Sequence, residues 1–212
     1  CMLALFLIGG ATSLWSEYQP NPTLNNPAVE QTAPLEGKET RFGTTGTVLW
    51  SVTTTAASNG SVNGMQDSLS PLSGMVALVN MMVGEVIFGG VGAGMYGMLL
   101  NVLIAVFLAG LMIGRTPEYL GKKLQAKEVQ LLVVTLLVMP VGVLVLSAIA
   151  ASLPGPAGAI SNPGPHGFSQ LLYAYTSASA NNGSAFAGLG ANTPFHNLML
   201  GLGMLIGRFG YI

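Results

Sequence analysis

The sequence predicts an all-α membrane protein built from two similar units, each a helix, a re-entrant loop and a second helix. Half of its 212 residues are hydrophobic and only 7% are charged, a composition typical of membrane proteins. The polar phrase TTTAASNGS at 53–61 is followed 123 residues later by the similar phrase TSASANNGS. The same offset places Pro71 on Pro194 and Gly84 on Gly207. A repeat of this kind indicates a repeated architecture.

The first unit begins with an apolar run at 2–14, which we interpret as the end of a spanning helix whose start is missing. An exterior loop is expected at 16–43. The next segment, 44–57, is too polar and too short to span, since a helix of about 12 residues reaches roughly 18 Å, near the middle of a bilayer. We expect a half-helix that enters the membrane and ends in a turn at 58–61.

The apolar stretch at 71–114 is too long for one crossing. Its middle carries the glycine cluster GGVGAG at 89–94, and a helix should be interrupted there because glycine loses the most entropy on ordering. We therefore predict helical pieces at 72–88 and 95–114, joined by a loop that is buried in protein or lines a watery cavity. The functional interpretation of the cluster is a flexible constriction, and the alternative is close packing of small residues.

Positive charge predicts the orientation of the chain. The loop at 115–128 holds four of the seven cationic residues, namely Arg115, Lys122, Lys123 and Lys127. Loops rich in Lys and Arg remain cytoplasmic, so we expect this loop on the cytoplasmic side. The net charge of −1 leaves no electrostatic case for nucleic-acid binding, which needs a basic face.

The second unit repeats the plan. Residues 131–153 carry no charge over a length sufficient for a spanning helix, and an exterior loop rich in proline and glycine follows at 154–167. A half-helix at 169–180 leads to a turn at 181–184, and the apolar segment 194–212 returns to the cytoplasmic side. We expect this last helix to be truncated, because neither a charge nor a cap follows it.

The repeated phrase has the features of a cation filter. A half-helix entering from outside points its C-terminal end inward, and that end carries about half a negative charge. Gly60 and Gly183 can adopt positive φ and turn carbonyl oxygens toward one axis, where rings of such oxygens replace the hydration shell of K⁺. The alternative is two polar re-entrant turns that only pack. The candidate K⁺ ligands, through their backbone carbonyls, are Ser58, Asn59, Gly60, Asn181, Asn182 and Gly183.

Two charged residues fall at matched depth in the two units. Glu85 and Arg208 each follow one of the superposed glycines, so we expect an acid and a base that can pair beneath the filter. Charges inside a membrane are functional candidates, and the alternative is a structural ion pair that holds the units together. His166 and His196 lie in or near exterior turns, and we interpret them as ordinary polar loop residues and not as ligands.

Five motifs resemble one protein family, the potassium-binding A subunits of bacterial Kdp potassium-transporting ATPases. The resemblance begins near residue 36 and continues to the end of the chain. The motifs are EGKETRFG at 36–43, GEVIFGGVG at 84–92, GLMIGRTPEYLGKK at 110–123, NPGPHGF at 162–168 and NNGSAFAG at 181–188.

The resemblance implies the fold of the K⁺ transporter superfamily, with four helix/pore-loop/helix repeats. Residues 1–128 would hold the third repeat, truncated at its front, and 129–212 the fourth, truncated at its back. It also implies a multi-pass protein of the bacterial inner membrane that binds and translocates K⁺, uses no organic cofactor and hydrolyses no ATP itself. ATP would be hydrolysed by a P-type Kdp subunit, and small accessory Kdp subunits would complete the complex.

The family also implies roles for single residues. The filter segments would be 58–60 and 181–183. Asn59 departs from the Cys that the family often carries, which bears on affinity more than on ion identity because the ligand is a backbone carbonyl. The residues implied in gating or coupling are Glu85, Gly89, Gly90, Gly92, Gly94, Arg115 and Arg208.

Two other functions stay open from the sequence. One is a K⁺ channel or ion-coupled transporter of the Trk, Ktr and HKT type, which shares the repeat but has no ATPase partner. The loop RTPEYLGKK at 115–123 favours the Kdp family over that type. The other is a structural membrane scaffold that conducts no ion.

Overall fold

The computed structural model describes residues 2–20, 34–84, 86–90 and 93–210, and these residues are mainly helical. A 3-10 turn at Gln66–Ser68 and an antiparallel hairpin of β1 (Glu118–Tyr119) and β2 (Lys122–Lys123) are the other regular elements described. The helices are α1 (Met2–Glu17), α2 (Gly43–Ala56), α3 (Pro71–Met82), α4 (Ala93–Ile113), α5 (Ala126–Ser152), α6 (Pro154–Ala157), α7 (Pro165–Ala180) and α8 (Pro194–Phe209).

The first unit packs the polar helix α2 against α1 and α3. Val48, Val52 and Val76 form its buried core. Many α2 residues are buried although they carry hydroxyl groups. The Thr47 and Thr55 hydroxyls donate to carbonyls one turn earlier in the helix, at 3.0 Å to Gly43 O and 2.8 Å to Ser51 O, whereas the Thr54 hydroxyl donates to the segment that follows the helix. A helix of small and hydroxyl-bearing residues is therefore enclosed by protein with the hydroxyls of Thr47, Thr54 and Thr55 hydrogen bonded.

The second unit has the same arrangement, with α7 packed against α5 and α8. Every residue of α7 from 173 to 180 is buried. Leu146, Leu171 and Tyr175 belong to the core of this unit. The two units meet where α3 contacts α7, and Met81 packs there with Tyr173.

Two helices, α4 and α5, are long and apolar enough to cross a membrane. Mean hydropathy is 2.3 for the α4 span and 2.7 for the α5 span. No residue of α4 from 95 to 113 is buried, whereas 33% of the most apolar 18-residue stretch of α5 is buried. The predicted all-α membrane fold is confirmed, and Pro140 lies inside α5 without ending it.

Several predicted boundaries were wrong. Helix α3 ends at Met82 and not at 88, because Gly84 has φ +74° and turns the chain out of the helix. Helix α5 begins at Ala126, five residues before the predicted start, where the Glu128 carboxylate accepts a hydrogen bond from the Gln125 N–H at 2.9 Å. That bond satisfies one amide that a helix start would otherwise leave unpaired.

Candidate ion-binding site

The first half-helix, α2, ends in a turn fixed by hydrogen bonds at both ends. Ser58 is left-handed, with φ 52°, and the Asn59 N–H donates to Thr54 O at 2.8 Å. A left-handed residue followed by this bond is a Schellman ending, which turns the chain away from the helix axis. The Asn59 side-chain oxygen then accepts from the Ser61 N–H at 2.9 Å.

The second half-helix, α7, ends in the same way. Asn181 is left-handed, with φ 58°, and the Asn182 N–H donates to Ser177 O at 3.2 Å. The Asn182 side-chain oxygen accepts from the Ser184 N–H at 2.9 Å. Each of these four residues lies 123 positions after its counterpart in the first turn, so the sequence repeat is also a repeat of hydrogen-bonded geometry.

Both asparagine side-chain oxygens are therefore engaged in holding the turns. The turns differ in one contact. Thr54 Oγ1 lies 2.7 Å from the Asn59 backbone oxygen, whereas the equivalent hydroxyl of Ser177 donates to the Asn182 side-chain oxygen at 2.6 Å. In the first turn, the backbone carbonyl of Asn59 thus points toward its own helix. In the second turn, the Ser177 hydroxyl binds the Asn182 side chain and not the Asn182 backbone carbonyl.

The two turns touch at Gly60. A Cβ atom on Gly60 would overlap the backbone oxygen of Asn182, so only glycine permits this approach. The expectation of positive φ holds for Gly183, at +85°, but not for Gly60, whose φ is outside the left-handed region. Gly60 serves close packing instead, because the left-handed step in its turn is made by Ser58.

The C-terminal end of α2 is covered by the segment that follows α3, and the C-terminal end of α7 is covered by α8. In the first unit, the carbonyl of Ala56 accepts from the N–H groups of Phe88 at 3.2 Å and Gly89 at 3.4 Å. In the second unit, the equivalent carbonyl of Ser179 lies against Gly207, where a Cβ would overlap it. Phe88 and Gly89, the first residue of the glycine cluster, therefore lie against the C-terminal end of α2.

The remaining sequence candidates are placed as follows. Gly89 has φ +63°. Gly94 is buried in the first turn of α4, and its N–H donates to Gly90 O at 3.4 Å. Arg115 is exposed after α4, and Arg208 is exposed in the last turn of α8, where a cation is favourable. Glu85 and Gly92 lie outside the described residues, and the predicted pair of Glu85 with Arg208 stays a prediction.

Sequence reasoning missed several polar contacts beside these turns. Gln66 and Asp67 are bonded to α7: Tyr173 Oη donates to Gln66 Oε1 at 2.8 Å, and Gln170 Nε2 donates to Asp67 Oδ1 at 2.9 Å. The interpretation of His196 as a loop residue was wrong. It lies fully buried in α8, with Nδ1 3.1 Å from Tyr175 Oη, because the tyrosine satisfies a ring nitrogen that would otherwise be buried unpaired.

Comparisons with known proteins identify the family of this chain. The family model described as potassium-transporting ATPase A subunit matches residues 1–212. The chain is 96% identical over its whole length to a potassium-transporting ATPase potassium-binding subunit of Pseudomonas fluorescens strain SBW25, and 80% identical to that of Pseudomonas aeruginosa strain PAO1.

A more distant relative carries the same name. The potassium-transporting ATPase potassium-binding subunit of Rhodospirillum centenum is 58% identical over 209 residues, or 98% of the chain. The chain spans 38% of the length of the two Pseudomonas relatives and 36% of the length of the Rhodospirillum one. It belongs to the family of potassium-transporting ATPase A subunits.

Proposed function

We propose that this chain is part of the K⁺-binding and K⁺-selective translocating subunit of an ATP-driven, high-affinity potassium uptake complex. The relatives are potassium-binding subunits of potassium-transporting ATPases by name, which supports the proposal. The observation that carries it is the pair of equivalent turns, whose asparagine side chains hold the backbone and whose surfaces meet at Gly60 and Asn182.

In this proposal, K⁺ is coordinated by backbone carbonyls of 58–60 and 181–183. These turns would be the third and fourth segments of a fourfold filter, supplied by units 1–128 and 129–212, and other parts of the whole protein would supply the first two. The ion loses its water and gains carbonyl oxygens held at a fixed spacing. Because the asparagine side-chain oxygens are already hydrogen bonded, the rigidity of the turns and not a side-chain charge would provide selectivity.

The segment under α2 would regulate passage of the ion. Its amides at Phe88 and Gly89 bind the carbonyl of Ala56, so movement of this segment must break contacts at the base of the filter helix. We propose that Gly89, Gly90, Gly92 and Gly94 form this regulating segment. Glu85, Arg115 and Arg208 are proposed to act in gating or coupling.

The subunit would hydrolyse no ATP itself. A P-type Kdp subunit would use ATP, small accessory Kdp subunits would complete the complex, and the whole would reside as a multi-pass assembly in the bacterial inner membrane. Co-purification of the full-length protein with an ATP-hydrolysing subunit separates this proposal from a Trk-like transporter, which would purify without one.

The test of the filter is Gly60→Ala in the full-length protein within its complex. A Cβ at this position overlaps Asn182 O, so one turn must shift. We expect the apparent K⁺ affinity to fall at least about tenfold, equivalent to ~1.4 kcal/mol, and the preference for K⁺ over Na⁺ to narrow. The measurement is K⁺-stimulated ATP hydrolysis with Na⁺ as competitor.

Gly201→Ala is the matched control. Gly201 lies in α8, and a Cβ added there has no neighbouring heavy atom within 4 Å other than the nearby backbone of α8 itself. The K⁺ response of this variant should therefore match that of the wild type. Gly183→Ala should act in the same direction as Gly60→Ala, because the φ of +85° disfavours an L side chain. Unchanged K⁺ affinity and K⁺/Na⁺ discrimination in Gly60→Ala would contradict the filter assignment.

A further inference from the structure

The turn at Gln66–Ser68, which follows the first filter segment, is bonded to one face of α7 in the second unit. His166, Gln170 and Tyr173 follow one another at spacings of four and three residues, so they share a face of the helix. Asp67 Oδ1 lies 2.8 Å from His166 Nε2 and accepts from Gln170 Nε2 at 2.9 Å. Gln66 Oε1 accepts from Tyr173 Oη at 2.8 Å. One short turn of the first unit thus contacts the second half-helix at three positions along one face.

Tyr173 continues this link to the second filter turn. Its hydroxyl lies 2.9 Å from Ser184 Oγ. Because the Tyr173 proton goes to Gln66, the Ser184 hydroxyl is the donor to Tyr173 Oη. The Ser184 N–H donates to the Asn182 side-chain oxygen at 2.9 Å, and Ser184 Oγ lies 3.1 Å from the same oxygen. The chain of contacts therefore runs from Gln66 in one unit to Asn182 in the other, and all of it is buried or partly buried.

Asn182 is held on two sides as a result. Its side-chain oxygen is bound by the network, and its backbone oxygen lies against Gly60 of the first turn. We propose that Tyr173 is a positioning residue for ion selectivity: the link from Gln66 through Tyr173 to Ser184 keeps the Asn182 turn at the spacing suited to K⁺. This inference rests on the proposed function, because it concerns the geometry of the same filter.

The physical reason is that the preference of carbonyl oxygens for K⁺ over Na⁺ depends on how firmly the surrounding structure restrains their positions. A turn that loses a lateral restraint can approach a smaller ion more closely, and the cost of exchanging K⁺ for Na⁺ then falls. The hydroxyl of Tyr173 supplies the restraint, whereas its ring contributes to packing: the ring stacks on Phe186 with centroids 4.2 Å apart. Removal of the hydroxyl alone separates the two roles.

The experiment compares Tyr173→Phe with Tyr175→Phe in the full-length protein within its complex. Both tyrosines are fully buried on α7, and both lose one hydroxyl, but Tyr175 Oη faces His196 and not the filter turn. We expect Tyr173→Phe to raise the KM for K⁺ at least about fivefold, the size expected for one buried hydrogen bond, and to narrow the K⁺/Na⁺ preference. The kcat at saturating K⁺ should stay within about twofold.

Tyr175→Phe should leave the KM and the ion preference unchanged. A second variant, Ser184→Ala, should also raise the KM, and its effect combined with Tyr173→Phe should be less than additive because both break one network. Ser184→Ala decides the question if the Tyr173→Phe complex does not assemble. The inference is overturned if Tyr173→Phe or, in that case, Ser184→Ala keeps the wild-type KM and ion preference.

The wild-type complex distinguishes failure of this inference from failure of the proposed function. A wild-type complex without preference for K⁺ over Na⁺ would overturn the proposed function and the inference together. A selective wild type alongside an equally selective Tyr173→Phe complex would overturn the inference alone.

Discussion

Glu17 and Lys38 form an ion pair that is closed off from solvent at the C-terminal end of α1. Lys38 Nζ lies 2.9 Å from Glu17 Oε2, and the side chains are 1% and 0% exposed. The other carboxylate oxygen of Glu17 accepts from the Ser70 N–H at 2.6 Å, and Lys38 also donates to Pro34 O at 2.7 Å. The pair therefore ties the loop before α2 to the ends of α1 and α3.

We predict that Lys38→Met destabilises the protein strongly. The change leaves the Glu17 carboxylate buried without its partner, which typically costs about 3–5 kcal/mol. Thermal unfolding of the full-length protein in detergent should show a clearly lower Tm. A Tm equal to that of the wild type would contradict the structural role of the pair.

The nearby pair of Glu39 and Arg41 is the matched control. Arg41 Nε lies 3.0 Å from Glu39 Oε1, but the Arg41 side chain is 76% exposed. Hydrogen bonds from the Arg41 side chain lower the pKa of the Glu39 carboxyl, so any stability that it adds is present at neutral pH and is lost as acid protonates Glu39. Because solvent screens such a pair, Arg41→Met should leave the Tm unchanged.

Residues differ in how well the sequence predicts their roles. The ends of the half-helices were found at Ser58 and Asn181 because the polar phrase is repeated and local backbone preferences act within a few residues. Gln66 and Tyr173 were not found, since their contact joins positions 107 residues apart and depends on how the two units pack. The same holds for His196, whose burial follows from its contact with Tyr175 on another helix.

At the scale of elements, α3 and α8 begin at matching positions but differ in length. Both start with a proline, Pro71 and Pro194, which suits the first helical turn. Helix α3 has 12 residues and α8 has 16. The difference arises at the superposed glycines, because Gly84 is left-handed whereas Gly207 remains helical against Ser179 O. The repeat in sequence therefore does not predict the break in α3.

The segment after α3 gives a prediction about ion passage. Gly89 has φ +63°, and its N–H contacts Ala56 O at 3.4 Å. A side chain there costs about 1–2 kcal/mol in this conformation, so Gly89→Ala should weaken the observed arrangement of the segment. If the segment obstructs the path, passive K⁺ efflux from proteoliposomes that contain the full-length protein should rise several-fold.

The control for this change is Gly97→Ala on α4. An added Cβ at Gly97 makes only ordinary contacts, at 3.4 Å to Val86 and 3.5 Å to Gly84 O. The efflux rate of this variant should match the wild type. An unchanged efflux rate in Gly89→Ala would count against a regulating role for the segment.

At the scale of the whole molecule, apolar patterning predicted the helical class and the two span candidates, but not every connection. The hairpin of β1 and β2 was expected only as a loop, because two-residue strands carry no alternating pattern that sequence analysis can detect. Among the described elements, α4 packs mainly against α5 and the hairpin, and its span is not buried. Its apolar surface is suited to lipid or to the remaining part of the whole protein.

The orientation of the molecule in the membrane gives the last prediction. The hairpin between α4 and α5 carries Lys122 and Lys123, and both are exposed. Gly155, in the short helix α6 at the other end of α5, is also exposed. Since α5 is long enough to span and basic loops remain cytoplasmic, the hairpin and α6 should lie on opposite sides of the membrane, with the hairpin inside.

Single cysteines test this orientation in the full-length protein after its native cysteines have been replaced. A membrane-impermeant maleimide added to intact spheroplasts should label Gly155→Cys and leave Lys122→Cys unlabelled. Lys122→Cys should react only after the membrane is permeabilised, which shows that the site itself is reactive. The reverse labelling pattern would place the basic hairpin outside, and the proposed filter turns would then open toward the cytoplasm, which is incompatible with uptake through a filter that faces the exterior.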